Sequence, residues 1–307
     1  MSRISRDIEA LVLPDHRESI SCDWIGWVPL IALPAAALIV RKQLPPWIFM
    51  WALAFALFFG CKSLTWWRSP KFQTPWWQQP GYLLAWPGMD VKAFLGANNQ
   101  IHQPEPKAWV AACLKTILGA VMIWAIARRI PATQPLLQGW IGLIGLVFFL
   151  HFGTFHLRAL AWQKAGVNAQ PIMRAPVLSQ SLAEFWGKRW NAAFNRLVHD
   201  FVFRKLFRRV GPTAATLTVF VFSGLIHDLV ISLPACGGYG LPTLYFLLQG
   251  LGLCAERSKM GRALGLGKGF AGRCFTIAVT AIPVVLLFHP PFIRNVILPM
   301  LRVIGAT

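Results

Sequence analysis

His227 is followed directly by Asp228 inside an otherwise apolar stretch, Thr213 to Leu233, that reads TAATLTVFVFSGLIHDLVISL. An ionisable pair at membrane depth is costly unless it lines a polar cavity, pairs with other groups or takes part in a reaction. Imidazole changes charge close to neutral pH, so the chemistry on offer is proton transfer, as general base or as relay. A histidine there can also be structural, joining polar groups between helices. Neighbouring helix positions point about 100° apart, so Asp228 is assigned support rather than chemistry.

The elements that carry this pair are membrane elements. The chain has 307 residues, of which 56% are hydrophobic and 13% charged, with 15 Trp and a mean hydropathy of +0.52. Soluble globular domains carry about 25% charged residues, so the class is an all-α, multi-pass membrane protein. Segments near 24–40, 47–61, 108–127, 136–157, 213–233, 241–255, 270–289 and 292–304 are apolar enough to be spans. A bilayer asks for about 20 apolar residues. Three of them, 47–61, 241–255 and 292–304, are short enough to be re-entrant, which leaves about six to eight crossing helices. The first residues, MSRISRDIEALVLPDHRESISCDW, have no apolar run behind their basic residues and do not resemble a cleaved signal; Trp24 to Val40 then reads as an uncleaved anchor. Residues 1–307 are read as one integral-membrane domain, in a bacterial inner membrane or the endoplasmic reticulum. Six scattered cysteines without a C-x-x-C pair suggest neither a disulfide framework nor a zinc site.

The net charge of +19 sits in the loops. Basic loops mark topology and attract anionic head groups. Arg128 and Arg129 end one span, while Arg158, Lys164 and Arg174 lie beyond the next. These flanks cannot share a side if 136–157 simply crosses, so either a re-entrant segment intervenes or one cluster faces a water-filled vestibule. The densest run, Glu184 to Gly211, interleaves Lys188, Arg189, Arg196, Arg204, Lys205, Arg208 and Arg209 with Trp186, Trp190, Phe194, Leu197, Phe201 and Val202. The three- and four-residue spacing predicts an amphipathic helix lying in the interface plane. Its cations meet lipid phosphate, and the same cations could collect a polyphosphate-bearing substrate such as coenzyme A.

Seven histidines, none in H-x-x-H spacing, do not make a di-iron centre out of His151 and His156. His199 falls in the basic run, His102 in a polar loop, and His289 at a span end beside Pro290 and Pro291. There is no G-x-S-x-G, Walker loop or dinucleotide fingerprint, so nucleotide-driven transport has no support.

Two longer elements carry a resemblance. Ser181-Leu-Ala-Glu-Phe-Trp-Gly-Lys-Arg-Trp-Asn191, followed by Phe222-Ser-Gly-Leu-Ile-His227-Asp228-Leu, resembles the paired signature of the membrane-bound O-acyltransferase (MBOAT) superfamily, in its wax synthase-like branch. The motif region is 181–231. Upstream, Tyr82-Leu83-Leu84-Ala85-Trp86-Pro87-Gly88-Met89 is similar to the corresponding part of that branch. The family usually has Glu after the histidine, and Asp228 keeps that charge with a shorter reach.

The resemblance implies transfer of a fatty acyl group from acyl-CoA to the hydroxyl of a lipid alcohol, with no covalent acyl-enzyme. His227 would be the general base and Asn191 the second catalytic position, its amide donating to a thioester oxygen or orienting a reactant. Trp186, Lys188, Arg189, Trp190, Ser223 and Asp228 would bind or orient substrate. Acyl-CoA is a co-substrate, and no cofactor, metal or nucleic acid is implied; the partners are acyl-CoA, a hydroxyl-bearing lipid and membrane lipids. A different class stays open: a proton-coupled transporter or lipid-binding membrane protein using His227 and Asp228 as a polar relay. Transporters often show internal repeats, and none is seen.

Overall fold

A computed structural model describes residues 24–96, 103–198, 201 and 203–307. Among these the regular structure is helical. We label the longer helices α1 (Trp24–Ile39), α2 (Pro46–Trp67), α3 (Pro106–Arg129), α4 (Pro135–Lys164), α5 (Ala192–Val198), α6 (Phe207–Ala235), α7 (Leu241–Arg257), α8 (Gly269–Leu287) and α9 (290–303). Five of them, α2, α3, α4, α6 and α8, are long and apolar enough to cross a membrane, and the protein is an integral multi-pass membrane protein. The segment near 47–61 is not short after all: its helix runs for 22 residues. Proline stands in the first turn of α2, α3, α4 and α7, where the missing N–H would have had no partner in any case.

α4 is continuous over 30 residues, so no re-entrant break separates the Arg128–Arg129 end of α3 from Arg158 and Lys164. α9 is a buried strut: Ile293, Val296, Ile297 and Leu301 are buried in the main core with Phe220 of α6 and Tyr245 and Phe246 of α7. A second cluster joins Cys61, Met89, Ile172, Met173 and Ala193 to Trp190 and Phe155.

The Glu184–Gly211 stretch is not one helix. A π turn, Phe185–Arg189, closes when the Trp190 N–H donates to the Phe185 carbonyl, and Trp190 itself is extended. Asn191 then turns the chain left-handed, at φ 44°, before α5 begins. Asn is among the few residues that adopt this conformation readily. Aromatic spacing continues across the break, and so conceals it. The bundle-facing and solvent-facing sides survive even so: Trp186 packs on Phe220 while Lys188 is exposed. His199 and Val202, like residues 1–23 and His102, lie outside the described residues, and nothing is described of the Arg196, Arg204 and Lys205 side chains.

Candidate active site at the α6–α7 joint

α6 restarts at Gly211 (φ 79°, ψ 174°), whose left-handed backbone breaks the preceding turn, and Pro212 opens the new helix. Four turns on, Gly224 lets α7 approach: a β-carbon there would lie 2.5 Å from the Thr243 Cα. One turn later comes His227, whose Nδ1 lies 2.7 Å from the Ser223 carbonyl oxygen. A carbonyl can only accept, so Nδ1 carries the proton and Nε2 keeps its lone pair. No hydrogen bond engages that Nε2 among the described residues. The ring lies against Phe246 of α7, with centroids 4.3 Å apart.

Asp228 turns away from His227 and towards α7. Its Oδ1 accepts from the Ser232 hydroxyl (2.9 Å) and the Gly240 N–H (2.8 Å). Its Oδ2 accepts from the Thr243 N–H (3.1 Å) and, in a short contact, from the Thr243 hydroxyl. Gly240 is the residue that caps α7 and has no side chain for the task, so Asp228 supplies the anion to this helix start from across the joint. The chain passes through a π turn here, Asp228–Ser232, a departure often found at functional sites.

The other motif is held by the far end of α7. The Ser181 hydroxyl caps the turn Leu182–Glu184 by accepting from the Glu184 N–H, and the Glu184 carboxylate reaches back to the Gln180 N–H at 2.8 Å. Hydrogen bonding from Gln180, then from Arg189, holds the Glu184 carboxyl below the ordinary carboxylate range. Glu256 accepts from the Leu182 and Ala183 N–H groups. The Trp186 indole N–H reaches Gln249 at 3.4 Å, and Gln249 in turn donates to the Val279 carbonyl of α8. Trp186 packs on Phe246 at 5.7 Å, so one ring separates it from His227. Trp186 also packs edge-on against Phe220 of α6, so the basic motif meets the His227 helix directly at that ring.

Asn191 is half-buried, and its backbone N–H points to the Met173 sulfur at 3.3 Å. Its carboxamide makes no hydrogen bond among the described residues. Trp190 stacks on Phe185 at 5.5 Å. Arg189 is spoken for: its guanidinium donates to Glu184 at 2.7 Å and to the Arg174 and Ala175 carbonyls. Lys188 is exposed.

Residues 169–248 match the membrane bound O-acyl transferase family. This match spans both sequence motifs, in keeping with their resemblance to the wax synthase-like branch of the MBOAT superfamily. Two Arabidopsis thaliana relatives are named probable long-chain-alcohol O-fatty-acyltransferase 7 and 2. The first is 30% identical over 45% of this chain and 44% of its own length, the second 28% over 65% and 61%. Acyl-CoA--sterol O-acyltransferase 1 of the same plant is 34% identical over 21% of each chain. The chain spans about half the length of the two long-chain-alcohol relatives and about a fifth of the sterol one.

The MBOAT match ends at residue 248, inside α7, short of Gln249 and Glu256. Sequence reasoning missed both, together with Thr243 and Phe246. A signal was present: the buried stripe of α7 is Pro242, Tyr245, Phe246, Gln249, Leu253 and Glu256, and two polar residues on an apolar stripe require partners. A second missed group is Lys62 of α2, fully buried, whose side-chain nitrogen donates to the Trp86 carbonyl at 2.9 Å and to the Gly88 carbonyl, and sits 3.5 Å from the Tyr82 ring centroid. It fixes the upstream MBOAT-like segment, whose Met89 packs beside Met173 and Ala193 on either side of Asn191 in sequence.

Proposed function

We propose that this protein transfers a fatty acyl group from acyl-CoA to the hydroxyl of a long-chain alcohol, with His227 as general base and no covalent acyl-enzyme. The observation that supports this best is the His227 tautomer. With Nδ1–H committed to the Ser223 carbonyl, Nε2 is the basic nitrogen and has no competing donor among the described residues. Nε2 takes the proton of the alcohol as its oxygen attacks the thioester carbonyl. The carbonyl electrons move to oxygen, where the Asn191 amide donates to the developing anion. Collapse expels coenzyme A as thiolate, which takes the proton back from the His227 imidazolium, leaving ester, free thiol and a neutral base.

Lys188 contributes an exposed cation to the coenzyme A phosphates, and Trp186 and Trp190 form the aromatic wall beside the reacting groups. The relay reading is less well supported, because both Asp228 oxygens are filled by Ser232, Gly240 and Thr243. The test is incubation of the purified chain with labelled acyl-CoA and a panel of alcohols, with esters identified by mass. His227→Ala is expected to lose about 10²- to 10⁴-fold in ester formation while remaining monodisperse. Wild-type turnover in that variant would make the intramembrane histidine structural.

A further inference from the structure

His289 lies between α8 and α9, outside the family match, and is fully buried. Its Nδ1 accepts the Phe292 N–H at 3.2 Å, capping the start of α9. An Nδ1 that accepts has no proton in the neutral ring, so Nε2 carries it. That Nε2 lies 3.1 Å from the Ser232 hydroxyl oxygen, which must therefore accept. Ser232 has one proton of its own and two acceptors in reach, Asp228 Oδ1 at 2.9 Å and the Gly238 carbonyl at 3.2 Å. The carboxylate is nearer and charged, and so takes the stronger bond. Gly238, at φ 73°, makes the room: a β-carbon there would collide with the His289 ring.

The polar sequence runs in one direction. His289 donates to Ser232, Ser232 to Asp228, and Asp228 accepts from the first turn of α7, the helix whose Phe246 carries the His227 ring. We propose that His289 is a positioning residue for His227, acting through Ser232 and Asp228 on the seat that α7 provides for the imidazole, and that it touches no substrate. This rests on the acyl-transfer reading for its kinetic consequence but not for its hydrogen-bond order. The π turn that places Ser232 one turn beyond Asp228 is what lets a residue 57 positions away reach the joint.

Two substitutions separate relay from cap. His289→Gln keeps a donor near the Nε2 position and gives up the bond to Phe292. His289→Asn keeps an acceptor near the Nδ1 position and gives up the donor to Ser232. Displacement of a reacting group by about 1 Å costs up to about 10²-fold in rate. We expect His289→Asn to lower kcat about 10- to 100-fold with the KM values for acyl-CoA and alcohol within about twofold, and His289→Gln to recover most of it. Ser232→Ala should match His289→Asn, and combining the two should add little, because the same path is already cut. The reverse ranking, Asn active and Gln inactive, would make His289 a helix cap only, and additive effects would overturn the path through Ser232. Wild-type protein labelled with ¹⁵N-histidine decides the matter independently of activity or of any variant that fails to fold: His289 is expected as the Nε2–H tautomer and His227 as Nδ1–H. An Nδ1–H signal for His289 would overturn the proposal, whereas failure of wild type to form ester, with the tautomers as stated, would sink the acyl-transfer reading alone.

Discussion

The two ends of α7 are both held by carboxylates, yet they are held in different ways. At its start Asp228 accepts four hydrogen bonds from residues within 15 positions of itself. Towards its end Glu256 accepts two, from Leu182 and Ala183, which lie 74 and 73 positions upstream. The first arrangement is local and belongs to one continuous hairpin, α6 into α7. The second is long-range and fastens the Ser181–Asn191 motif to a helix that shares no motif with it. α7 is thus the plank between the two halves of the candidate site, and its buried face presents Phe246 and Gln249 to His227 and Trp186.

If both ends serve one reaction, Asn191 should matter nearly as much as His227. Asn191→Gly keeps the left-handed backbone that φ 44° requires but removes the amide, so it isolates the chemistry from the turn. Loss of one such donor costs about 10²- to 10³-fold in kcat. Turnover in Asn191→Gly measured beside Asn191→Ala checks this. Near wild-type rates in the glycine variant would reduce Asn191 to a turn residue and leave the reaction to the α6–α7 end alone.

The Asp228 end should show the larger stability effect. Asp228→Ala strands the half-buried Thr243 N–H at the start of α7, a loss of about 1–3 kcal/mol, and also removes the bond to the exposed Gly240 N–H. The midpoint of thermal unfolding in detergent should fall clearly, and turnover with it. Asp228→Glu, the residue usual in the family, keeps the charge and should retain more of both. Glu256→Ala should be milder, with two bonds lost rather than four and the Ser181 cap still in place. Its expected signature is a several-fold fall in kcat at nearly unchanged unfolding midpoint, with Glu256→Gln intermediate. A larger unfolding loss in Glu256→Ala than in Asp228→Ala would reverse the ranking of the two ends.

What could be read from the chain follows the same division. The spans were legible because apolar runs near 20 residues state their own purpose, and His227 was legible because it interrupts one. Asp228 as support was legible from the angle between adjacent helix positions, although its partners Gly240 and Thr243 were not. The left-handed turn at Asn191 was hidden by Trp186, Trp190 and Phe194, whose spacing continues as if nothing intervened. The partners of Glu256 and Lys62 were hidden for another reason: they are backbone groups far along the chain, and no residue type announces a carbonyl or an N–H. Periodicity reports which face is buried, whereas long-range capping depends on the tertiary contact that buries it.

The smallest effect concerns the cations on the Glu256 side. Sequence alone pairs Lys188 with Arg189 as collectors of coenzyme A, and the geometry divides them. Arg189 gives its donors to Glu184, Arg174 and Ala175, so it braces the turn that ends at Asn191. Lys188 is exposed and makes no such bond among the described residues. Lys188→Ala should therefore raise the KM for acyl-CoA a few-fold and leave that for the alcohol alone, an effect that shrinks as salt screens the phosphates. Arg189→Ala should act differently, lowering kcat through the loosened turn with little salt dependence. Its ion pair is partly exposed, with 28% of each side chain accessible, so the pair by itself contributes little, at most about 1 kcal/mol. The two carbonyl bonds then carry the effect, and Arg189→Lys, which cannot span the same three acceptors, should behave more like alanine than like wild type. Kinetics of the three variants at low and high salt would show whether this end of α7 binds substrate, shapes the site, or divides the two tasks between adjacent residues.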